Sequence, residues 1–404
     1  MHNQLRTTTS KENGMRRRAS STGRRLLGPL VLSLVGLAAA VAPAGAIADG
    51  RASTAGQVYV NDNTAGANTI AGFARGADGA LSPLPGSPFG AGGAGTGSGL
   101  ASQGAVQLTG DGRFLIAADA GSDQISVLRV HGDGRPKLVR GGVVSSGGSE
   151  PVSIAVHGDL VYVANAGDAD SNYTGFDLGR DGRLRPIADS TVSLPAGSQP
   201  GDVLISGDGR HVVGTRIGSS LIDSFAIGRD GRLTAAPGSP RAAEGLGPFG
   251  SEFRPTDPDQ LFVSNAHDGP AAGTVSAFTV AGNGALSPIA GSPFANGQTA
   301  SCWVEISHDG RFLFAVNTGS GTISRYAIAP SGQLTLLGST PVGASGGVGA
   351  VDARLSPDGR SPYVDESRIA AIGAFAVDGG TLTELSDSPV ALPDGATPAG
   401  VAVR

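Results

Sequence analysis

Residues 307–337 read SHDGRFLFAVNTGSGTISRYAIAPSGQLTLL and contain the unit that decides the fold. An Asp-Gly-Arg turn is followed by the alternating run Phe312–Val316, by a loop of Asn, Thr, Gly and Ser, and by a second run, Thr322–Ile328. A second Gly-containing turn leads into a further run at residues 334–337. Asp-Gly supplies the positive backbone φ that tight hairpins require, so these runs are predicted to be antiparallel strands.

The same unit recurs along the chain at intervals of roughly fifty residues. Asp-Gly-Arg turns of the first series begin at Asp111, Asp208, Asp309 and Asp358, and those of a second series begin at Asp133, Asp181 and Asp230. The resulting seven units span residues 57–109, 110–157, 158–206, 207–255, 256–307, 308–356 and 357–404. Four strands per unit, joined by two tight turns and two longer loops, are typical of a propeller blade.

The two ends of the repeat array complement each other. The array opens on a second strand, Gln57–Val60, and ends on an isolated first strand, Gly400–Val403. Pairing of these strands would close the ring and remove an exposed sheet edge. We therefore predict an all-β, seven-bladed β-propeller with four antiparallel strands per blade, closed by pairing of the N- and C-terminal strands.

The composition excludes several other classes of protein. The 404 residues include 66 Gly and 25 Pro, which would destabilise a helical bundle or coiled coil. A single cysteine, Cys302, excludes an intramolecular disulfide framework and a Cys-rich zinc site. Cys302 is expected to pack as a small apolar residue.

The N-terminus has the order of a secretory signal. Arginines 16–18 and 24–25 precede an apolar run from Leu26 to Ala42, and overlapping A-x-A sites follow. We predict a signal peptide at residues 1–48 with cleavage after Ala46 or Ala48, a short segment at 49–56 and one propeller domain at 57–404. An uncleaved anchor is the alternative, and the protein is expected to be secreted or periplasmic without stable membrane insertion after cleavage.

The charge balance argues against one class of partner. Residues 1–48 hold seven of the 29 Lys and Arg and one of the 34 Asp and Glu, which leaves residues 49–404 with a net charge of about −11. A protein that follows a nucleic-acid backbone needs an excess of cations. We therefore expect no nucleic-acid partner, and no protein partner can be named.

The repeats resemble the lactonase family of seven-bladed propellers, which includes 6-phosphogluconolactonases and carboxymuconate cyclases. The resemblance is carried by residues 307–324 and by Gly-Ser-Pro segments such as Gly238–Pro240 and Gly291–Pro293. It implies opening or closing of a small lactone, or binding of a carboxylate, in the central channel without metal or organic cofactor. It also implies histidine and arginine just after the proline that opens an innermost strand. Here those prolines are followed by Val152-Ser153, Gly201-Asp202, Phe249-Gly250 and Ala399-Gly400, and none carries the histidine.

The innermost strands suggest a different set of reactive groups. When the seven first strands are aligned, one column between two mostly apolar columns contains Glu252, Glu305 and Arg354 in three successive blades. An earlier column adds Asp202, Trp303 and Asp352, which are expected to bind substrate. Charges this close to a propeller axis are costly unless they are solvated or paired. In the functional interpretation, the two carboxylates supply an acid or base and Arg354 holds a substrate carboxylate or an oxyanion. In the alternative, Glu305 and Arg354 form a structural ion pair and Glu252 faces water in the channel.

The rim loops add weaker candidates. Arg216 and His267 are predicted to contact substrate, because cations are scarce here and histidine titrates near neutrality. Residues 168–172 have the alternating oxygens of a calcium loop but lack its closing glutamate, so we predict no metal site. Residues 90–104 are expected to form a blade-connecting loop or a flexible lid. Four histidines beside turns are expected at the surface: His131, His157, His211 and His308.

Two classes of function follow from the sequence. The first is an exported lactone hydrolase or lactone-forming cyclase that uses Glu252, Glu305 and Arg354. The second is a non-catalytic propeller that binds a ligand or a protein on its rim.

Overall fold

The computed structural model describes residues 54–343 and 349–404, which form seven antiparallel sheets of four or five strands. Blade 1 contains β1 (Thr54–Asn61), β2 (Thr69–Gly76), β3 (Leu81–Pro83) and β4 (Phe89–Gly90). Blade 2 contains β5 (Val106–Leu108), β6 (Phe114–Asp119), β7 (Gln124–Val130) and β8 (Pro136–Ser145), with a short 3-10 helix at Ala120–Ser122. Blade 3 contains β9 (Pro151–His157), β10 (Leu160–Asn165), β11 (Asn172–Leu178), β12 (Leu184–Pro186) and β13 (Val192–Ser193).

The later blades repeat this order. Blade 4 contains β14 (Pro200–Ile205), β15 (His211–Arg216), β16 (Leu221–Ile227), β17 (Leu233–Ala235) and β18 (Arg241–Ala242). Blade 5 contains β19 (Pro248–Arg254), β20 (Asp257–Asn265), β21 (Thr274–Val280), β22 (Leu286–Pro288) and β23 (Phe294–Ala295). Blade 6 contains β24 (Ser301–Ile306), β25 (Phe312–Asn317), β26 (Thr322–Ile328) and β27 (Leu334–Pro341). Blade 7 contains β28 (Ala350–Leu355), β29 (Pro362–Glu366), β30 (Ala371–Asp378), β31 (Thr381–Glu384) and β32 (Val390–Ala391).

The innermost strands form a closed ring around the axis. Each inner strand from β5 to β28 lies beside the inner strand of the next blade, and the last one borders β33 (Val401–Val403), which in turn borders β5. The strand β33 joins blade 1 by antiparallel pairing with β1, in the register Val58 to Val403 and Val60 to Val401. The predicted seven-bladed propeller and its closure by the terminal strands are confirmed.

Local sequence sets the two faces of the ring. The tight Asp-Gly turns lie on one face, here called the turn face, and the loops that lead into the inner strands lie on the other, here called the loop face. At Asp309 the carboxylate accepts the backbone N–H of Arg311 at 3.0 Å, while Gly310 adopts φ +66°. A residue with a Cβ would be strained in that left-handed conformation, which explains the recurring Asp-Gly pair.

Adjacent blades are joined by apolar packing and by buried tyrosines. The hydroxyl of Tyr162 in blade 3 donates to the carbonyl of Gly231 in blade 4 at 2.6 Å, and Tyr363 in blade 7 donates to Gly79 in blade 1 at 2.9 Å. The second strands carry the most buried apolar side chains, such as Val161 and Phe262. The core therefore lies between neighbouring sheets, and the turn glycines connect one blade to the next.

Two sequence expectations concern other parts of the chain. The predicted signal peptide at residues 1–48 lies outside the described residues. Within residues 54–343 and 349–404, we find no helix with the length and apolar character needed to span a bilayer. The expectation that His211 lies at the surface is wrong: its side chain is buried at the start of β15, near the carbonyl of Gly282.

Candidate functional site

Three charged side chains meet in the central channel. Glu252, Glu305 and Arg354 occupy the same register of three successive inner strands, opposite Phe262, Phe314 and Tyr363 of the second strands. Nη1 of Arg354 lies 3.3 Å from Oε2 of Glu305 and 3.9 Å from Oε2 of Glu252. The structure therefore brings together the three residues selected from the sequence column; we call them the channel trio.

The trio is buried unequally. The exposed fractions of the side chains are 20% for Glu252, 8% for Glu305 and 23% for Arg354. Glu305 is fixed on its other oxygen, because Oε1 accepts the backbone N–H of Leu355 at 3.2 Å. Oε2 of Glu252 accepts no hydrogen bond. Glu252 is thus the carboxyl group that is both accessible and least constrained.

Burial has opposite effects on the acids and the base of the trio. It raises the pKa of Glu252 to about 8, helped by the charge of Glu305 and opposed by Arg354. It also raises the pKa of Glu305, against the effect of Arg354. Burial alone would lower the pKa of Arg354, but the neighbouring carboxylates outweigh this effect and raise it. Arg354 therefore stays charged, while Glu252 can exchange a proton near neutral pH.

A second layer of polar groups lies one step nearer the loop face. Oδ2 of Asp202 accepts both the N–H and the hydroxyl of Ser251, and Oδ1 accepts the hydroxyl of Ser153 at 3.1 Å. Burial raises the pKa of Asp202 to about 7. Asp352 accepts the backbone N–H groups of Gly104 and Ala353 at 3.1 and 2.9 Å, and burial raises its pKa as well. These aspartates link inner strands to each other and to the segment described next.

Residues 101–104 close the channel above this layer; we call them the channel plug. Gln103 donates to the carbonyl of Ser251 at 3.0 Å and accepts the N–H of Val304 at 3.1 Å. Its own N–H donates to the carbonyl of Gly201 at 2.9 Å. With the bond from Gly104 to Asp352 and another from Ile154 to Gly104 at 3.0 Å, the plug contacts the inner strands of blades 3 to 7.

Two side chains complete the plug. Nε1 of Trp303 donates to the carbonyl of Ser102 at 2.7 Å, and its ring packs edge-on against Phe249 with ring centres 4.9 Å apart. Gly250 leaves the space that Gln103 fills, since a Cβ at position 250 would overlap Oε1 of Gln103. Residues 90–104 do connect blade 1 to blade 2, as expected. Their last part lies inside the channel, hydrogen-bonded to its walls, and is not a lid above the rim.

On the turn face, one member of the trio, Glu252, lines a cavity. This cavity of about 460 Å³ opens between blades 4 and 5, and Glu252 lines it together with Leu204, Phe253 and Arg254. This volume is within the range of small-molecule sites. The accessible carboxyl group of the trio therefore faces a space large enough for a sugar-sized molecule.

Two sequence candidates lie away from the trio. Arg216 forms a bidentate ion pair with Asp223, with both nitrogen–oxygen distances at 2.5 Å, and Tyr173 donates to the same carboxylate at 3.2 Å. Arg216 is buried, and its guanidinium binds a carboxylate within blade 4 and does not reach the channel trio. His267 is exposed on the loop face, where it lines a second cavity.

Sequence reasoning missed the plug and the carboxylate partner of Arg216. Asp223 follows Arg216 by seven residues and lies on the next strand, β16. The register of the β15–β16 hairpin brings the two side chains together. Gln103 belongs to a Gly/Ser-rich connection outside the repeat, and its partners come from three other blades. Its only sequence signal was the unusual length of that connection. Within residues 54–343 and 349–404, no group of three or more His, Cys, Asp or Glu side chains has a geometry that could hold a metal ion.

One protein-family model matches the sequence of this chain. The sequence model described as "Lactonase, 7-bladed beta-propeller" matches residues 66–197 and 253–340. A comparison with curated protein sequences gave no significant match.

Solved structures show the same fold. A putative 6-phosphogluconolactonase from Bacteroides uniformis superposes with a TM-score of 0.69 at 20% identity, covering 86% of this chain and 99% of that one. The periplasmic gluconolactonase PpgL of Pseudomonas aeruginosa gives a TM-score of 0.69 at 19% identity, covering 86% and 98%. A streptogramin B lyase gives 0.52 at 15% identity, covering 75% and 87%. These identities are low, so the structural likeness concerns the fold.

Proposed function

Because this chain belongs to the lactonase family of seven-bladed β-propellers, we propose that it hydrolyses a small lactone at the channel trio. The observation that carries this proposal is the pairing of Glu252, whose pKa is raised to about 8, with the guanidinium of Arg354 at 3.9 Å beside an open cavity. A base with a pKa near the working pH and a fixed cation are the two groups that ester hydrolysis requires.

Each member of the trio has a separate role in this mechanism. The carboxylate of Glu252 takes a proton from a water molecule, whose oxygen attacks the lactone carbonyl carbon. Arg354 donates to the oxyanion that forms, and Glu305 holds Arg354 in position. When the ring C–O bond breaks, Glu252 returns its proton to the leaving alkoxide, giving a hydroxy acid. The same groups in reverse would close a ring.

Arg354 has donors left for a substrate. Both ion pairs use Nη1, and within the described residues Nη2 and Nε donate no hydrogen bond to a side chain or carbonyl. A carbonyl oxygen that enters from the turn face can therefore be bound without breaking the pair with Glu305. The function of Glu305 is to orient the guanidinium.

The charge of the channel favours a neutral substrate. Asp202 and Asp352 lie next to the trio, and their charges act on Glu252 in the same direction as that of Glu305. Arg354 is the cation that acts on these acids. A phosphate group would add two negative charges to this surplus, so we propose an uncharged sugar lactone over a phosphorylated one.

A non-catalytic binding propeller is the second candidate. Two observations favour it. The prolines that open the inner strands are not followed by histidine, and Gln103 occupies the space beside Gly250 in the channel, where a substrate would otherwise fit. In this alternative the trio is a structural ion-pair cluster. Arg354 and Glu305 would then matter for stability and not for turnover.

The cellular location is a further part of the proposal. We propose that residues 1–48 direct export and are removed, which would place the propeller outside the cytoplasm. The solved relative PpgL is a periplasmic protein, which supports this placement.

Lactone hydrolysis can be tested with residues 49–404. The rate of opening of glucono-1,5-lactone and of its 6-phosphate should be measured by pH-stat above the spontaneous rate. We expect turnover with at least a tenfold preference in kcat/KM for the neutral lactone, and a loss of about a hundredfold in kcat for Glu252→Gln.

A matched variant controls this experiment. Glu244→Gln removes a glutamate that pairs with Arg241 at the outer edge of blade 4, at 2.9 Å, and should leave the rate unchanged. Wild-type protein without activity on either lactone, or equal rates for both glutamine variants, would favour the binding propeller.

A further inference from the structure

The loop face carries a second cavity, which the proposed hydrolysis does not use. It has a volume of about 440 Å³ and lies between blades 3, 4 and 5. Val152, Ile217 and Phe249 form an apolar floor, and all three are buried. Ala101 of the channel plug also lines it. Since Gln103 and Gly104 of the same plug bond to the inner strands above the trio, the plug separates this cavity from the catalytic candidates.

The rim of this cavity is acidic. Glu150 and Asp168 line it, with His267 on the side of blade 5. Asp123 lies close by and accepts the backbone N–H of Glu150 at 2.8 Å. Within the described residues none of these three carboxylates forms an ion pair. Burial is the main cause that raises the pKa of Glu150, and the nearby charges of Asp168 and Asp123 raise it further.

The backbone at the rim is held in an uncommon conformation. Glu150 and Gln199 have φ of +54° and +47° in the position that precedes the inner strand. The corresponding positions of blades 5, 6 and 7 are Gly247 at φ +63°, Ala300 at φ +55° and Gly349 at φ +69°. Glycine adopts this region without strain, whereas a side chain does not. Blades 3 and 4 thus present polar side chains to the cavity at positions where glycine would be easier to accommodate.

We infer that the loop-face cavity binds a small organic cation, an amine attached to an apolar body about the size of one ring. The floor removes the apolar part from water, and the two unpaired carboxylates of Glu150 and Asp168 receive the ammonium group. A cavity of this size, with an apolar lining and a few charged groups that fix orientation, is typical of small-molecule sites. A neutral ligand would leave the charges unused, and an anion would be repelled. This inference does not depend on lactone hydrolysis.

Three probes of similar shape test the inference by titration calorimetry on residues 49–404. They are 2-phenylethylamine, 2-phenylethanol and 3-phenylpropionate, which differ in the charge of the polar end. We expect the amine to bind, the alcohol to bind roughly tenfold more weakly and the carboxylate not to bind. Glu150→Gln and Asp168→Asn should each weaken the amine severalfold and leave the alcohol unchanged.

Two control variants keep the result unambiguous. Asp159→Asn removes an exposed carboxylate of blade 3 on the turn face and should not affect the amine. Glu252→Gln alters the channel trio and should also leave amine binding intact, even if it abolishes hydrolysis. Equal affinities for amine and alcohol, absence of amine binding, or loss of amine binding in Glu252→Gln would each overturn the inference.

Discussion

The protonation of the acids in the central channel depends on Arg354. One guanidinium nitrogen lies within ion-pair distance of both Glu305 and Glu252, and the charge of Asp352 acts on the same cation. A single cation cannot neutralise three acids, so at least one of them gains stability by keeping its proton. Glu252 lies farther from Arg354 than Glu305 does, at 3.9 Å against 3.3 Å, and its Oε2 is buried without a hydrogen bond, so we assign that proton to Glu252. The residue that can exchange a proton near neutral pH, Glu252, is therefore also the one that lines the turn-face cavity.

The proton on Glu252 should be visible in the stability of the fold. A carboxyl whose folded pKa lies above its ordinary value of 4.5 binds its proton more tightly in the folded chain. The free energy of unfolding then falls as pH rises from about 5 to about 8, by at most about 1.4 kcal/mol per pH unit for this group. Glu252→Gln has no proton to lose, so its unfolding free energy should fall less steeply in urea titrations across that range.

The control for this measurement is Glu244→Gln, a substitution of the same type in a partly exposed ion pair. It should keep the wild-type slope. If the Glu252→Gln and wild-type curves run parallel from pH 5 to pH 8, the raised pKa of Glu252 is refuted.

At the level of elements, the plug is an inner wall that the repeat does not encode. Residues 101–104 have no regular structure, yet their hydrogen bonds reach the inner strands of five blades. Three of these bonds are made to backbone groups of Gly201, Ser251 and Val304. The plug thus ties the inner strands of these five blades to one another on the loop side of the trio.

Gln103→Ala should destabilise the propeller by about 2 kcal/mol. The substitution removes two buried side-chain hydrogen bonds, one to the carbonyl of Ser251 and one from the N–H of Val304. Gln107→Ala is a matched control, because Gln107 also lies in this region but its side chain forms no hydrogen bond with the described residues. It should change the unfolding free energy by less than about 0.5 kcal/mol. Equal losses for the two variants would contradict the role of the plug.

The fit between Gly250 and Gln103 gives a second test at this scale. A Cβ at position 250 would collide with Oε1 of Gln103, so Gly250→Ala should cost about 2 kcal/mol in the wild-type background. In a Gln103→Ala background the collision with that oxygen is absent, and the same substitution should cost at least about 1 kcal/mol less. Additive losses in this double-mutant cycle, measured by denaturant unfolding, would show that the two positions are not in contact.

Residues on the repeated strands could be predicted from the sequence, whereas residues on the connection that contains the plug could not. The Asp-Gly turns and the alternating runs predicted the strands, and the column of inner strands selected Glu252, Glu305 and Arg354 because strand register repeats from blade to blade. Gln103 could not be selected, since its partners become neighbours only after the ring closes. The pairing of Arg216 with Asp223 could not be predicted either, because it depends on the register of one hairpin and, within the described residues, does not recur in the other blades.

For the whole molecule, ring closure is the step that assembles the channel. The strand β33 is short, but Val401 and Ala402 are buried between blades 7 and 2, and the backbones of Gln57 and Arg404 exchange two hydrogen bonds. Without this strand, β1 would present an open edge and blade 1 would lose its innermost strand. The trio lies on blades 5 to 7, so its geometry depends on closure only indirectly, through the intervening blades of the ring.

Deletion of residues 401–404 should therefore lower the Tm by at least about 10 °C, or prevent folding to a monomer. Differential scanning calorimetry and size-exclusion chromatography measure these outcomes. Arg404→Ala, which keeps the backbone bonds to Gln57, should shift the Tm by no more than about 2 °C. A truncated chain that unfolds at the wild-type temperature as a monomer would contradict closure by the terminal strands.

The dependence of kcat/KM on pH, for a neutral lactone, tests the assignment of the channel trio most directly. If Glu252 is the base, kcat/KM of residues 49–404 rises with pH and levels off above the pKa of that carboxyl, near 8. Glu252→Gln should lower the rate by about a hundredfold and abolish this titration. A variant that keeps the wild-type rate and the same pH profile would show that lactone opening, if it occurs, takes place elsewhere on the molecule.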